Sequence, residues 1–91
     1  MRVVYGYVSD YVRSLNPGDV YARLGPFRKL LLRLLGVVRL ERVYVKTPSG
    51  TEDMVSIYLA RCPHCGNLYV DYPHGYSQFL ECPRCSTRIY L

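Results

Sequence analysis

The 91-residue sequence contains no tryptophan, no internal repeat beyond two cysteine pairs, no low-complexity linker and no Gly-rich phosphate loop of the Walker or Rossmann type. Its serines lie in turns or beside cysteines, and no acidic pair flanks a histidine, so no nucleophile and base are indicated by position. The expectation is a non-catalytic protein. Long apolar runs are missing too. Residues 30–38, the longest, are broken by Arg33 and Gly36 and fall far short of the roughly 20 residues a membrane span needs. The first eight residues turn polar at Ser9 and Asp10 before a signal-peptide core develops, so a cytoplasmic location is expected, in a reducing compartment. Length sets a further bound. A chain this short buries only about 60 to 65% of its unfolded surface, which calls for a stabiliser besides the apolar core.

The charge that is present is lopsided. Residues 1–46 carry nine basic side chains against Asp10, Asp19 and Glu41, a balance of +6, whereas residues 47–91 carry three against four, a balance of −1. All four cysteines fall in the last thirty residues. The chain therefore divides into a basic unit, residues 1–60, and a cysteine-bearing unit, residues 61–91.

Periodicity gives the elements of the first unit. Residues 2–8 read as a strand, and Ser9 or Asp10 is placed to cap a short helical turn through Leu15. Asn16, Pro17, Gly18 and Asp19 mark a helix start, with Pro17 in the first turn. Val20, Leu24, Phe27, Leu31, Leu34 or Leu35, and Val38 then recur at helical spacing, predicting one buried face. Gly25 and Pro26 interrupt it, which favours a kink or two short helices, and Gly36 is a C-terminal stop. From Arg39 the period becomes two. Residues 39–46 and 54–61 read as a hairpin around the turn 47–51, ending at Cys62. A helical segment followed by a hairpin loosely resembles a winged helix, which requires three helices.

Cys62, Pro63, His64, Cys65 and Gly66 are followed by Cys82, Pro83, Arg84 and Cys85, with sixteen residues between Cys65 and Cys82. Two residues between paired thiolates suit a tight turn in which both sulfurs converge on one ion, and two such turns fill a tetrahedral site. One structural Zn2+ held by Cys62, Cys65, Cys82 and Cys85 is expected, with iron and a disulfide pair as the competing readings. A full four-sulfur shell leaves no place for substrate. His64 and Arg84 sit inside the knuckles and are expected beside the thiolates rather than on the metal. His74 has no sequence neighbour that would make it a base.

The cysteine region resembles the zinc-ribbon superfamily, in which two knuckles of the Cys-Pro-x-Cys-Gly type cap a small three-stranded antiparallel sheet. The resemblance covers residues 60–91, with Ser86 departing from the second glycine. It implies strands near residues 67–72, 76–81 and 87–91. Zinc ribbons serve in transcription factors, polymerase subunits, ribosomal proteins and adaptors, so the resemblance leaves function open. The expected fold class is α+β: an N-terminal helical segment plus β-hairpin, followed by a C-terminal three-stranded antiparallel zinc ribbon.

Ten Arg against two Lys favours bidentate phosphate contacts. The candidates are Arg23, Arg28, Lys29 and Arg33 along the helix, and Arg39, Arg42 and Lys46 along the hairpin. Tyr69, Tyr72, Tyr76 and Tyr90 are the tyrosines expected to stay exposed, while Tyr5, Tyr7, Tyr44 and Tyr58 belong to strand packing. The expected function is a nucleic-acid-binding accessory factor of transcription or translation, contacting RNA or DNA, within a ribosome or polymerase assembly. The alternatives are a protein adaptor or homodimer, and a rubredoxin-like iron electron carrier. A membrane-surface role for residues 27–38 is set aside because the same leucines are needed as core.

Overall fold

The computed structural model describes residues 2–91; Met1, the first residue of the basic unit, lies outside them. The chain is α+β, in the order β1 (Arg2–Tyr5), α1 (Val8–Ser14), α2 (Pro17–Ala22), α3 (Pro26–Leu35), β2 (Val37–Lys46), β3 (Glu52–Arg61), β4 (Leu68–Asp71), β5 (Phe79–Glu81) and β6 (Arg88–Tyr90). Four strands form one sheet in the order β1-β2-β3-β4, and β5 and β6 form a second, two-stranded sheet, with one further bridge from Phe79 to His74. β1 runs parallel to β2, with the three helices forming the crossover that a parallel pair requires. The helices pack chiefly on the sheet, unlike the trihelical core of a winged helix.

Local chemistry explains the breaks. β1 stops at Tyr5, before Gly6 at φ 114°. The helix expected to be capped by Ser9 or Asp10 starts two or three residues earlier, at Val8 after Tyr7, with no side-chain cap. α2 begins as its sequence dictates: Asn16 Oδ1 accepts from the amides of Gly18 (2.9 Å) and Asp19 (3.2 Å), and Pro17 occupies the first turn. Gly25 and Pro26 separate α2 from α3, and Gly36, at φ 79°, ends α3 as the left-handed cap.

The single apolar face predicted through residues 20–38 holds at its ends, where Val20 and Leu24 pack against the core and Val38 is buried in it, and is corrected on α3. On α3 the buried residue is Leu32, 1% exposed, whereas Phe27 (71%) and Leu34 (70%) point to solvent with Leu30 and Leu35. The pattern was phased across Gly25 and Pro26, where the helix restarts, so the register does not carry over. The core is built without those leucines: Val4, Val12, Leu32, Val38, Val43, Val45, Ile57, Leu59 and Val70 form one cluster between the helices and one sheet face. The ground for setting aside a surface role for this helix therefore does not hold.

Alternation along the strands puts the other residues on the opposite face. There Ala60, Cys62 and Tyr69 meet Leu80 and Cys82 in a second cluster, flanked by Val37, Tyr58 and Ile89. The β5–β6 pair thus lies over the β3–β4 end of the sheet. The three-stranded antiparallel sheet expected within residues 61–91 is also corrected. β4 adds to β3 in antiparallel register from Tyr58↔Asp71 to Arg61↔Leu68, leaving β5 and β6 as a separate two-stranded sheet. The reason is continuity: β3 runs straight into the first cysteine turn, so the strand that leaves the turn folds back on β3.

Candidate metal centre

Each cysteine pair sits at the tip of a strand pair, and the two tips have the same backbone. In the first, the Cys62 amide donates to Asn67 O (2.8 Å) and the Gly66 amide to Cys62 O (2.9 Å); in the second, the Cys82 amide donates to Thr87 O (3.0 Å) and the Ser86 amide to Cys82 O (2.9 Å). Gly66 and Ser86 hold matching left-handed conformations, at φ 76° and 63°. Glycine adopts this freely and serine at a cost, so the sequence departure at Ser86 leaves the turn unchanged.

These turns bring four sulfurs together. All four lie within 4.8 Å of one another, with Cys62 Sγ 3.3 Å from Cys85 Sγ and Cys65 Sγ 3.7 Å from Cys82 Sγ. All four cysteines are free, and a disulfide would need sulfurs about 2.05 Å apart, so the disulfide reading is dropped. Around one ion with metal–sulfur bonds of about 2.3 Å, tetrahedral sulfurs would stand about 3.8 Å apart. The cluster is within a few tenths of an ångström of that, and its soft donors fit a single zinc- or iron-class ion. Cys62 and Cys82 are buried, Cys85 half-buried and Cys65 exposed.

The surroundings favour thiolate. Burial pushes the Cys62 thiol up, but the backbone amides of Cys65 and His64 point at its sulfur and bring it down to about 6. Burial likewise opposes ionisation of Cys82, and the amides of Cys85 and Arg84 outweigh it. The Asn67 amide favours the Cys65 thiolate, yet although the residue is exposed its sulfur is partly desolvated within the cluster, and this together with its hydrogen bonds to the other three sulfurs pushes the thiol up overall. One ion would relieve that crowding of like charges. Asn67 Nδ2 also lies 3.8 Å from Cys82 Sγ, and Thr87 Oγ1 3.1 Å from Cys85 Sγ. His64 and Arg84 thus act through their backbone, and His64 is not in the ligand cluster.

Sequence reasoning missed Asp71. Its carboxylate is buried, with Oδ1 3.0 Å from His74 Nε2 and Oδ2 accepting from the Glu81 amide at 3.0 Å, so it ties β4 to the following turn and to β5. The available signal was the Asp71–His74 spacing of three. Tyr69, expected to be exposed, is 2% exposed and its hydroxyl has no partner. Burial, with the charges of Cys82 and Asp71 close by, pushes its phenol up.

The candidate nucleic-acid residues separate into two groups. Arg39, Arg42 and Lys46 share the open side of β2. Arg39 and Arg42 are three residues apart, which alone would put them on opposite faces, but a bulge between Arg39 and Glu41 restores them to the same one. Arg23, Arg28, Lys29 and Arg33 lie on the helical side. Arg28 Nη1 reaches Leu40 O at 3.4 Å, and Lys29 Nζ stands 5.2 Å from the Tyr21 ring centroid. Lys29 and Arg33 meet Arg61, which the sequence did not single out, in a cleft of about 510 Å3 lined also by Tyr21, Leu30 and Leu32, with no carboxylate. Among the described residues no helix is long and apolar enough to cross a membrane. Comparison with protein families, with curated proteins and with solved structures finds no match for this chain.

Proposed function

We propose that the protein is a small non-catalytic nucleic-acid-binding factor whose C-terminal unit, residues 61–91, is a zinc ribbon held by one structural Zn2+. The observation that carries the nucleic-acid reading is the bulge that gathers Arg39, Arg42 and Lys46 on one open sheet face. The carboxylate-free cleft of Lys29, Arg33 and Arg61 adds a second phosphate-compatible surface. Zinc is favoured because four thiolates close its preferred tetrahedron and leave no open position, which suits a metal that stabilises and does not react. Metal analysis tests it: a red, iron-containing protein would establish the electron-carrier reading instead.

The functional test is binding of a fluorescent oligonucleotide to the metal-loaded protein across a salt series. Three phosphate contacts predict an affinity fall of about 20- to 40-fold between 50 and 200 mM salt. Neutralising Arg39, Arg42 and Lys46 together should flatten that slope, and a wild-type affinity indifferent to salt would refute the reading. The adaptor reading has its own support in the exposed Phe27, Leu30, Leu34 and Leu35 of α3. It predicts a nuclease-resistant partner in a pull-down from native extract, lost when Phe27 and Leu34 are replaced by serine.

A further inference from the structure

Among the described residues, the four-stranded sheet is covered on one face by helices and on the other only at its β3–β4 end, where Tyr58, Ala60 and Tyr69 lie under β5–β6. The β1–β2 end of that second face is uncovered. Register places its occupants: Val3 opposite Tyr44, Tyr5 opposite Lys46, and Met54 on the other side of Tyr44. Tyr5 is 79% exposed, and Val3 and Met54 are close to half exposed. A sheet face left to water is normally polar. This one alternates rings and aliphatic side chains with Arg39, Arg42 and Lys46.

Charge narrows the occupant. The face carries three cations and one carboxylate, Glu52, which sits 3.8 Å from Lys46 Nζ and accepts from the Tyr44 hydroxyl. An anionic partner fits, and a second copy of the same cationic face does not. The rings narrow it further. In a duplex the base faces are stacked on each other and closed to protein side chains. In a single strand they are free, and they stack on aromatic rings while cations follow the backbone. Tyr5 and Tyr44 are diagonal neighbours on adjacent strands, roughly 8 Å apart by strand geometry, so they can serve successive bases. Where the face meets the ribbon it adjoins a groove of about 270 Å3 whose lining includes Met54, Ser56, Tyr58, Pro73 and Gln78 and also the Asp53 carboxylate, so the cationic track ends there.

We propose that this face binds single-stranded nucleic acid, with Tyr5 and Tyr44 stacking on unpaired bases and Arg39, Arg42 and Lys46 meeting the phosphates. The proposal rests on the nucleic-acid reading above and specifies its site and its substrate class.

The test uses the full metal-loaded chain and fluorescence anisotropy with short RNA and DNA oligonucleotides, each as a single strand and as the matching duplex. Single strands should bind more tightly than duplexes. Tyr5→Ala should weaken single-strand binding by roughly 5- to 100-fold, Tyr5→Phe should retain it, and Tyr76→Ala, on an exposed turn outside the face, should leave it unchanged. Glu52→Gln should tighten binding, since it removes the carboxylate beside the phosphate path. Duplex bound as well as single strand, with Tyr5→Ala silent, overturns the proposal while leaving the phosphate-binding reading intact. Absence of binding to every oligonucleotide overturns both. An oligomer of the free protein that Tyr5→Ala dissolves overturns the proposal in favour of self-association.

Discussion

Removing the metal should melt one part of the molecule and spare the other. The β5–β6 segment is held to the sheet by the second cluster, in which Leu80 is the only aliphatic side chain contributed by residues 72–91 that is fully buried. Its burial is worth about 2–3 kcal/mol. The carboxylate of Asp71 adds its bonds to His74 and the Glu81 amide, on the order of 1.5–3 kcal/mol each at most. A structural zinc–thiolate site supplies about 10–16 kcal/mol of apparent binding energy, several times either contribution. The other cluster draws on no cysteine: Val38, Val43, Val45, Ile57 and Leu59 are closed in by Val12 and Leu32 from the helices and flanked by Val4 and Val70 on the outer strands.

The perturbation is Cys82→Ser, or a strong chelator applied to the wild-type chain. The expected result is loss of amide hydrogen-exchange protection at Leu80 and Ile89, with Val43, Val45 and Ile57 still protected. Two outcomes would refute the reasoning. Full protection of β5–β6 after verified metal loss would mean that packing alone holds the segment. Simultaneous loss of protection at Ile57 and Leu80 would mean that the two clusters form one cooperative unit.

The remaining predictions probe single residues. Leu32→Ala should cost about 2–5 kcal/mol in denaturant unfolding, whereas Leu34→Ala should stay within about 0.5 kcal/mol; equal costs would restore the buried face expected from sequence. Ser86→Gly should stabilise the metal-bound protein by about 0.5–1 kcal/mol, read as a higher melting temperature, because glycine holds φ 63° without the side-chain clash. Tyr69→Phe should be neutral or stabilising by about 1 kcal/mol, since it deletes a buried hydroxyl that has no partner; a large loss would reveal a bond made by that hydroxyl.

What was legible in the sequence follows the range of the interactions involved. Asn16 with Pro17, Gly36 and both cysteine turns act within four or five residues, and each is where its local chemistry puts it. The four thiolates were readable as one site because two turns of the same type need only face each other. The β3–β4 pairing is local too, made by the first cysteine turn between Arg61 and Leu68, and is missed only by drawing a unit boundary through it. The other failures are long-range: nothing local places β1 parallel to β2, about forty residues away. The phase of α3 was lost for the same reason: a helical period fixes which residues share a face, and only the sheet decides which face is covered. Tyr5 and Tyr69 exchanged their expected roles because exposure depends on where β5–β6 lands.

That landing point links the metal to the open face. One divalent ion on the four thiolates would leave a net charge of −2, making the β3–β4 end of the sheet anionic and unfavourable for phosphate, while the β1–β2 end carries Arg39, Arg42 and Lys46. One sheet face is thereby divided along its own width, Tyr58 and Tyr69 under the ribbon and Tyr5 and Tyr44 clear of it. A metal at the four cysteines would set where that division falls by holding β5–β6 in place. Melting β5–β6 would expose Tyr58 and Ala60 and remove the Pro73 and Gln78 wall of the adjoining groove, so the extent of the open face would depend on an ion that touches none of its residues.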